Sequence, residues 1–264
     1  MAISSLDQLI AATSQGIQIY KSGSRTTTGN AWFSTIDLAG NPGAGSIASL
    51  GITNGSLYTD GTGGHPPVNA FGGSNLGYIA SVEFGNTVAC RMMLVDVLCR
   101  HGSFAFNANS SGLTGVDISG RIVNSSYAGL QLWYECATAI TTNQSVAVTY
   151  VDQSGNTGHS TGTVALGTAP TLGRLIQLPL AAGDSGLQKI TGVTSTGATA
   201  GTFNLIIARP LWTGRINLAN GGDAHSWDRI GFPHIFDTSA IELWLNPDST
   251  ASGLPEVFID VVNG

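Results

Sequence analysis

The sequence predicts an all-β protein, and three observations carry that prediction. From Tyr78 onward, short apolar runs recur at intervals of about 10–20 residues, the spacing of successive short strands. Two of the runs alternate with period two: Leu130, Leu132, Tyr134 and Cys136 against Gln131, Trp133 and Glu135, and Val146, Val148 and Tyr150 against Ala147 and Thr149. Turn-forming clusters such as Asp152-Gln153-Ser154-Gly155-Asn156 separate them.

Strands are expected at 78–84, 90–99, 119–124, 130–136, 146–150, 173–180, 187–195, 202–209, 240–245 and 256–262, with no convincing helix between them. Such a series builds a sandwich or barrel. A jelly-roll-like β-sandwich of two packed four-stranded sheets fits this length with strands to spare. No repeat of fixed period points to a propeller or solenoid.

The chain divides into residues 1–77, an N-terminal helix and extended arm, and residues 78–264, the β-sandwich domain. Ser5-Leu6-Asp7-Gln8 fits a capping box, with Ser5 as N-cap and Gln8 three residues on. Leu6, Leu9, Ile10 and Thr13 then share one helical face, and Gly16 ends the run. Residues 1–20 thus read as a helix too short to stand alone, whose apolar face must dock. Residues 21–77 are rich in Gly, Asn, Ser and Thr, with Asn41-Pro42-Gly43 and His65-Pro66-Pro67 among their turns. They also hold Trp32, Phe33, Ile36, Ile47, Tyr58, Val68 and Phe71, too many apolar groups to leave in water. A short strand is expected near 31–38, and the arm is expected to wrap a surface, its own or a neighbour's.

Only 10% of the 264 residues are charged, where roughly 25% is usual, and 36 are glycine. There are two lysines against eight arginines, and four glutamates against twelve aspartates. Lys and Glu keep free surfaces soluble and are depleted at protein contacts, whereas Arg is tolerated there. The surface therefore reads as one meant to be covered by protein. A formal net charge of −6 and no basic stripe exclude nucleic acid as a main partner.

The longest apolar stretch, Met92 to Cys99, is broken by Asp96 and is too short to span a membrane. The start, Met1-Ala2-Ile3-Ser4-Ser5-Leu6-Asp7, has no cationic segment ahead of an apolar run, so synthesis in the cytoplasm is expected. Cys90, Cys99 and Cys136 are widely spaced in strand-like runs and read as small buried hydrophobes, not as a zinc site or disulfide framework.

The chemistry-bearing motifs are sparse. Gly183-Asp184-Ser185-Gly186 is similar to the nucleophile loop of chymotrypsin-like proteases, but Leu187 follows it and a tight turn uses the same residues. Asp223-Ala224-His225-Ser226-Trp227-Asp228, with His234 and Asp237 beyond, could hold a metal if the loop curled; a polar loop around Trp227 explains it equally well. No Walker loop, Ser elbow or paired glutamates are present, so no catalytic residue, cofactor or metal ligand is assigned. Trp133, Trp212, Trp227 and Trp244 could line a sugar platform, although Trp133 and Trp244 lie in strands with a core face. The residues expected at interfaces are Leu6, Leu9, Ile10, Trp32, Phe33, Trp212 and Trp227.

Four segments carry a family resemblance. Leu175-Ile176-Gln177-Leu178-Pro179-Leu180, Ala182 to Ile190, Thr199 to Leu205 and Ala208-Arg209-Pro210-Leu211 resemble parts of virion structural proteins of tailed bacteriophages. The short helix with its Gly-rich arm and the ending Ile241-Glu242-Leu243-Trp244-Leu245 with Pro255-Glu256-Val257-Phe258-Ile259 are similar too. That family includes head decoration, or cement, proteins. The resemblance implies a β-sandwich assembled as a homotrimer on the outer surface of the capsid, where it braces the major capsid protein, with no catalytic residues to carry over. Alternative readings are a tail, fibre or major shell protein, or a carbohydrate-binding β-sandwich.

Overall fold

A computed structural model describes residues 5–12, 14–48, 50–71, 76–140, 143–167, 170–196 and 201–263. Along the N-terminal part run helix α1 (Leu6–Ala11) and strands β1 (Ser14–Lys21), β2 (Trp32–Ser34), β3 (Gly40–Asn41) and β4 (Ile52–Leu57). The two long strands β5 (Leu76–Asn86) and β6 (Cys90–Ala105) follow, then β7 (Ser110–Ser111), β8 (Gln131–Cys136), β9 (Ser145–Asp152), β10 (His159–Ser160) and β11 (Val164–Ala165). The chain continues with β12 (Arg174–Leu178), β13 (Leu187–Thr196), β14 (Thr202–Ile216) and β15 (Gly221–Ser226). Helix α2 (Trp227–Ile230), β16 (His234–Phe236), β17 (Ile241–Pro247) and β18 (Glu256–Asn263) complete it.

The protein is all-β, and antiparallel sheets pack as sandwiches. The seven-stranded sheet lies at the centre, in the order β14-β8-β12-β2-β17-β6-β4, and β14 also pairs with β6. Six of its strands therefore close a ring, which removes the free edges a flat sheet would leave. The pairing of β14 with β6 runs from Thr202↔Ala105 to Ile216↔Cys90. A six-stranded sheet ordered β15-β5-β18-β1-β3, with β16 on β5, packs against one part of the ring's outside, and a five-stranded sheet centred on β9 and β13 against another.

Period-two alternation explains how one ring serves three cores. Met92, Leu94, Leu243 and Leu245 face the six-stranded sheet and meet Ile17, Ile19, Val82, Val257 and Ile259. Leu132, Tyr134, Phe203, Leu205 and Ile207 face the five-stranded sheet and meet Val148, Tyr150 and Ile190. The intervening residues Met93, Val95, Val97, Trp133, Ile206 and Trp244 fill the ring itself. Ring strands are buried on both faces, which is why Ile241–Pro247 is buried at every position.

Several expectations are corrected. The N-terminal helix is six residues, not most of 1–20, and Ser14–Lys21 is a strand paired to β18 from Ser14↔Val262 to Tyr20↔Glu256. The capping-box bond is present, with the Gln8 amide donating to Ser5 Oγ at 3.3 Å, yet alternation of Ile17 and Ile19 takes over after one and a half turns. Thr13, on the expected helical face, lies outside the described residues. The strand expected at 119–124 is instead two short 3-10 turns, Ser119–Arg121 and Val123–Ser125. The expected strand near 31–38 is present as β2. Within 21–77, β2 joins the ring, β4 pairs with β6, and Phe33, Ile36, Ile47, Tyr58, Val68 and Phe71 are buried. Cys90, Cys99 and Cys136 are free and buried.

Candidate interaction surface

The outward face of the six-stranded sheet follows from register. Tyr20 pairs with Glu256, which pairs with Gly85, which pairs with Gly222. One row along lie Gln18, Phe258, Glu83 and Ala224, and one row further Gly16, Asp260, Ser81 and Ser226. Their neighbours Ile17, Ile19, Val257 and Ile259 point inward and are buried, so these rows point to solvent. Tyr20 is 37% and Phe258 45% exposed on that face. Three acids surround them: Glu256, whose Oε1 accepts from Gln18 Nε2 at 3.0 Å; Asp260, whose Oδ2 accepts from Ser81 Oγ at 2.5 Å; and Glu83.

Gly85 and Gly222 sit opposite each other and leave a hollow of about 290 Å3 rimmed by Glu83, Glu256 and Phe258. A Cβ at Gly222 would come within 3.0 Å of the Phe84 carbonyl, so the hollow depends on glycine. Two carboxylates beside an aromatic ring suit a guanidinium. On the other side of β15 a groove of about 500 Å3 is lined by Arg91, Arg215 and Arg229, with Trp32, Thr213 and Asp223. Arg215 and Arg229 reach Asp248 and Asp223 only at 3.6 and 3.9 Å, all half exposed, and such contacts are weak. An acidic aromatic face and a basic groove thus meet along one edge strand.

The residues expected at interfaces are distributed differently. Leu6 is 57% exposed on α1; the side chains of Leu9 and Ile10 lie outside the described residues. Trp32 is half buried, edge-on to Trp133 with ring centroids 6.5 Å apart, and lines the basic groove. Phe33 and Trp212 belong to this chain's own interior: Phe33 is buried beneath the Arg174 guanidinium, and Trp212 is buried with its Nε1–H donating to His225 Nδ1 at 3.0 Å. Trp227 is 41% exposed and stacks on Phe232. Tyr20 and Phe258 were missed. Glu256-Val257-Phe258-Ile259-Asp260 reads as an alternating strand, but that Phe258 shares a face with Tyr20 follows only from the register of β1 on β18.

The 223–228 segment does not curl around a site. It is β15 with the start of α2, and His225 points inward, its protonation disfavoured by burial and then by Arg229. Asp228 instead accepts from Ser226 Oγ at 2.5 Å. His234 lies against Tyr78 with centroids 4.2 Å apart and the rings tilted by 53°. Trp133 and Trp244 meet edge to face within the ring, 5.0 Å apart, so they offer no sugar platform. Asp184 of the Gly183–Gly186 loop takes hydrogen bonds from Tyr150 and His159, and the Ser185 amide donates to Gln153 Oε1 at 3.0 Å.

Buried charges are matched internally. Inside the ring Arg100 Nη2 lies 3.0 Å from Glu135 Oε1 and 3.2 Å from Glu242 Oε1, and its guanidinium covers the Tyr58 ring. Glu242 also takes bonds from His65 Nε2 at 3.0 Å and Trp244 Nε1 at 2.9 Å. Burial works against its charge, but Arg100 and these two donors hold the carboxyl down at about 2. Glu135 shifts upward because burial, with Glu242 nearby, outweighs Arg100. A second network joins Asp96 to Arg209 at 2.8 Å, Arg121 at 3.3 Å and Ser239 Oγ at 2.9 Å. The Arg100 network is fully enclosed, whereas Arg121 of the second network also borders a pocket of about 460 Å3 with Tyr58, Ile118 and Thr238. Among the described residues no helix is long and apolar enough to cross a membrane.

No protein-family model matches the chain, and no curated protein matches it. Solved structures returned in comparison include T=1 particles derived from infectious bursal virus, with a TM-score of 0.18 and 8% identity over 95% of this chain and 77% of that one. The infectious bursal disease virus Gt strain structure gives a TM-score of 0.17 and 9% identity over 95% of this chain and 81% of that one. TM-scores this far below 0.5 do not establish a common fold.

Proposed function

We propose that this chain is a structural virion protein whose work is to pack against other protein chains. Its finer assignment is a decoration protein of a tailed-phage head, a homotrimer that binds the major capsid protein on the capsid's outer surface. The observation that supports this most is the outward face of the six-stranded sheet, where Tyr20 and Phe258 stand exposed among Glu83, Glu256 and Asp260 on a body with few other charges. Apolar groups ringed by charge make a contact surface. Charge complementarity supplies the first occupant: the groove of Arg91, Arg215 and Arg229 on a second copy. A contact between two different patches of one chain is head-to-tail, and such a contact makes a ring when the rotation between copies closes, here at three. Repetition over a shell multiplies modest contacts.

Light scattering coupled to size-exclusion chromatography tests this reading. The wild type is expected to run as a trimer at low salt and to weaken as salt rises. Glu83→Arg is expected to shift it to monomer, and adding Arg229→Glu to restore assembly. A wild type that stays monomeric at high concentration, or a trimer indifferent to Glu83→Arg, would sink the proposed contact.

A further inference from the structure

Three ionisable side chains converge where the five-stranded sheet ends. Asp152 closes β9, His159 opens β10, and Asp184 lies in the segment between β12 and β13. Each offers an atom within 4.8 Å of the others. Both carboxylates are held in place. Asp152 Oδ1 accepts the Ser154 and Asn156 amides at 2.9 and 2.7 Å, and its Oδ2 accepts Asn156 Nδ2 at 2.8 Å. Asp184 Oδ2 accepts the Tyr150 hydroxyl at 2.6 Å, and that hydroxyl accepts the Ala181 amide at 2.7 Å. The side chains of Asp152 and Asp184 are only 5% exposed, that of His159 30%.

The imidazole geometry is informative. His159 Nδ1 is 2.8 Å from Asp184 Oδ2, a distance at which Nδ1–H donates to the carboxylate. The neutral ring then carries its lone pair on Nε2, which faces Asp152 Oδ2 at 3.7 Å. That separation is too long for a hydrogen bond, and two acceptors facing each other repel. Two ligands of one metal, with bonds of about 2.0–2.2 Å, stand roughly 3.3–3.7 Å apart. A carboxylate on the far nitrogen of a ligating histidine is the arrangement that orients such rings.

We propose that His159 Nε2 and Asp152 Oδ2 bind a divalent transition-metal ion of the zinc class, with Asp184 holding the imidazole in the metal-ready tautomer. Mixed nitrogen and carboxylate donors favour zinc over calcium or magnesium, which prefer oxygen alone. Exposure of His159 leaves the remaining positions to water. With two protein ligands the site is weaker than a four-ligand structural zinc site. Its effect would be to pin the 153–158 turn and β10 in place.

Tag-free, chelator-washed protein titrated with zinc chloride near pH 7 tests the site. Calorimetry is expected to show one zinc per chain, no calcium uptake at the same concentration, and at least tenfold weaker zinc binding in His159→Gln and in Asp152→Asn. Zinc should raise the wild-type melting temperature and leave that of His159→Gln unmoved. Should a variant fail to fold, nitrogen NMR of the wild type serves instead: zinc must shift His159 Nε2 and leave Nδ1 protonated. No zinc uptake by the wild type, undiminished uptake by His159→Gln, or a doubly protonated His159 ring at pH 7 that zinc does not change would overturn the proposal.

Discussion

Arg100 lies on the interior side of β6, fully buried between Glu135 and Glu242. Removing one partner of such a pair leaves a charge unmatched in low dielectric, whereas replacing the whole set with neutral groups removes that penalty. Arg100→Met should therefore cost about 3–5 kcal/mol in urea unfolding at pH 7. Adding Glu135→Gln and Glu242→Gln should recover part of it. The pH dependence has a definite sign. Glu242 titrates at about 2 in the fold, below an ordinary carboxyl, so its contribution is complete above the unfolded value of about 4.3 and is lost as pH falls toward 2. Glu135 shifts upward, so its protonation favours the fold in acid and offsets some of that loss. Melting temperatures at pH 7 and pH 3 should fall further apart for the wild type than for Glu242→Gln. None of this network was legible in sequence. Gln131, Trp133 and Glu135 alternate with Leu132, Tyr134 and Cys136, a pattern that normally marks one wet face; here the second face lines a closed ring and is buried as well.

At the scale of elements, β1 changes how the N-terminus should be tested. Deleting residues 1–12 removes α1 and leaves β1 paired to β18. That truncation should melt within a few degrees of the full chain and keep the contact made by the outward sheet face. Deleting residues 1–20 strips the partner of β18 from Ser14 to Tyr20 and uncovers Val257, Ile259 and Val261. It should fail to fold cooperatively, which a lost unfolding transition in circular dichroism would show. Half of the eighteen strands among the described residues, β5, β6, β8, β9, β12, β13, β14, β17 and β18, fall on expected apolar runs, and β8 and β9 show period two plainly. Those missed had separate reasons: β1 alternates at Ile17 and Ile19 but follows directly on a helix signal, and β15 lacks a strand pattern altogether. Gly221-Gly222-Asp223 has poor strand propensity, and β15 forms because β5 offers an edge from Ser81 to Asn86. Residues 119–124 hold the apolar β-branched pair Ile122-Val123, but Arg121 turns inward to donate to the carbonyls of Tyr58, Val97 and Thr238, and that bonding favours a tight turn over a strand.

For the whole molecule, the shortage of Lys and Glu now has a location. Two of the four glutamates, Glu135 and Glu242, and one of the two lysines, Lys21, are buried; the other glutamates, Glu83 and Glu256, stand on the outward sheet face. The remaining surface has little charge to keep it apart from other chains. Composition pointed to a surface meant to be covered by protein, but the face proposed for that role was not legible, because it depends on register between strands far apart in sequence. The central claim is that this face is covered by protein in an assembled particle. The most direct measurement is a cryo-electron-microscopy reconstruction of virions that carry the chain. The account predicts three copies on the head exterior, with Tyr20, Phe258 and Glu83 in contact with a neighbouring chain. A head surface without this chain, or copies whose outward sheet face stands open to solvent, would contradict it.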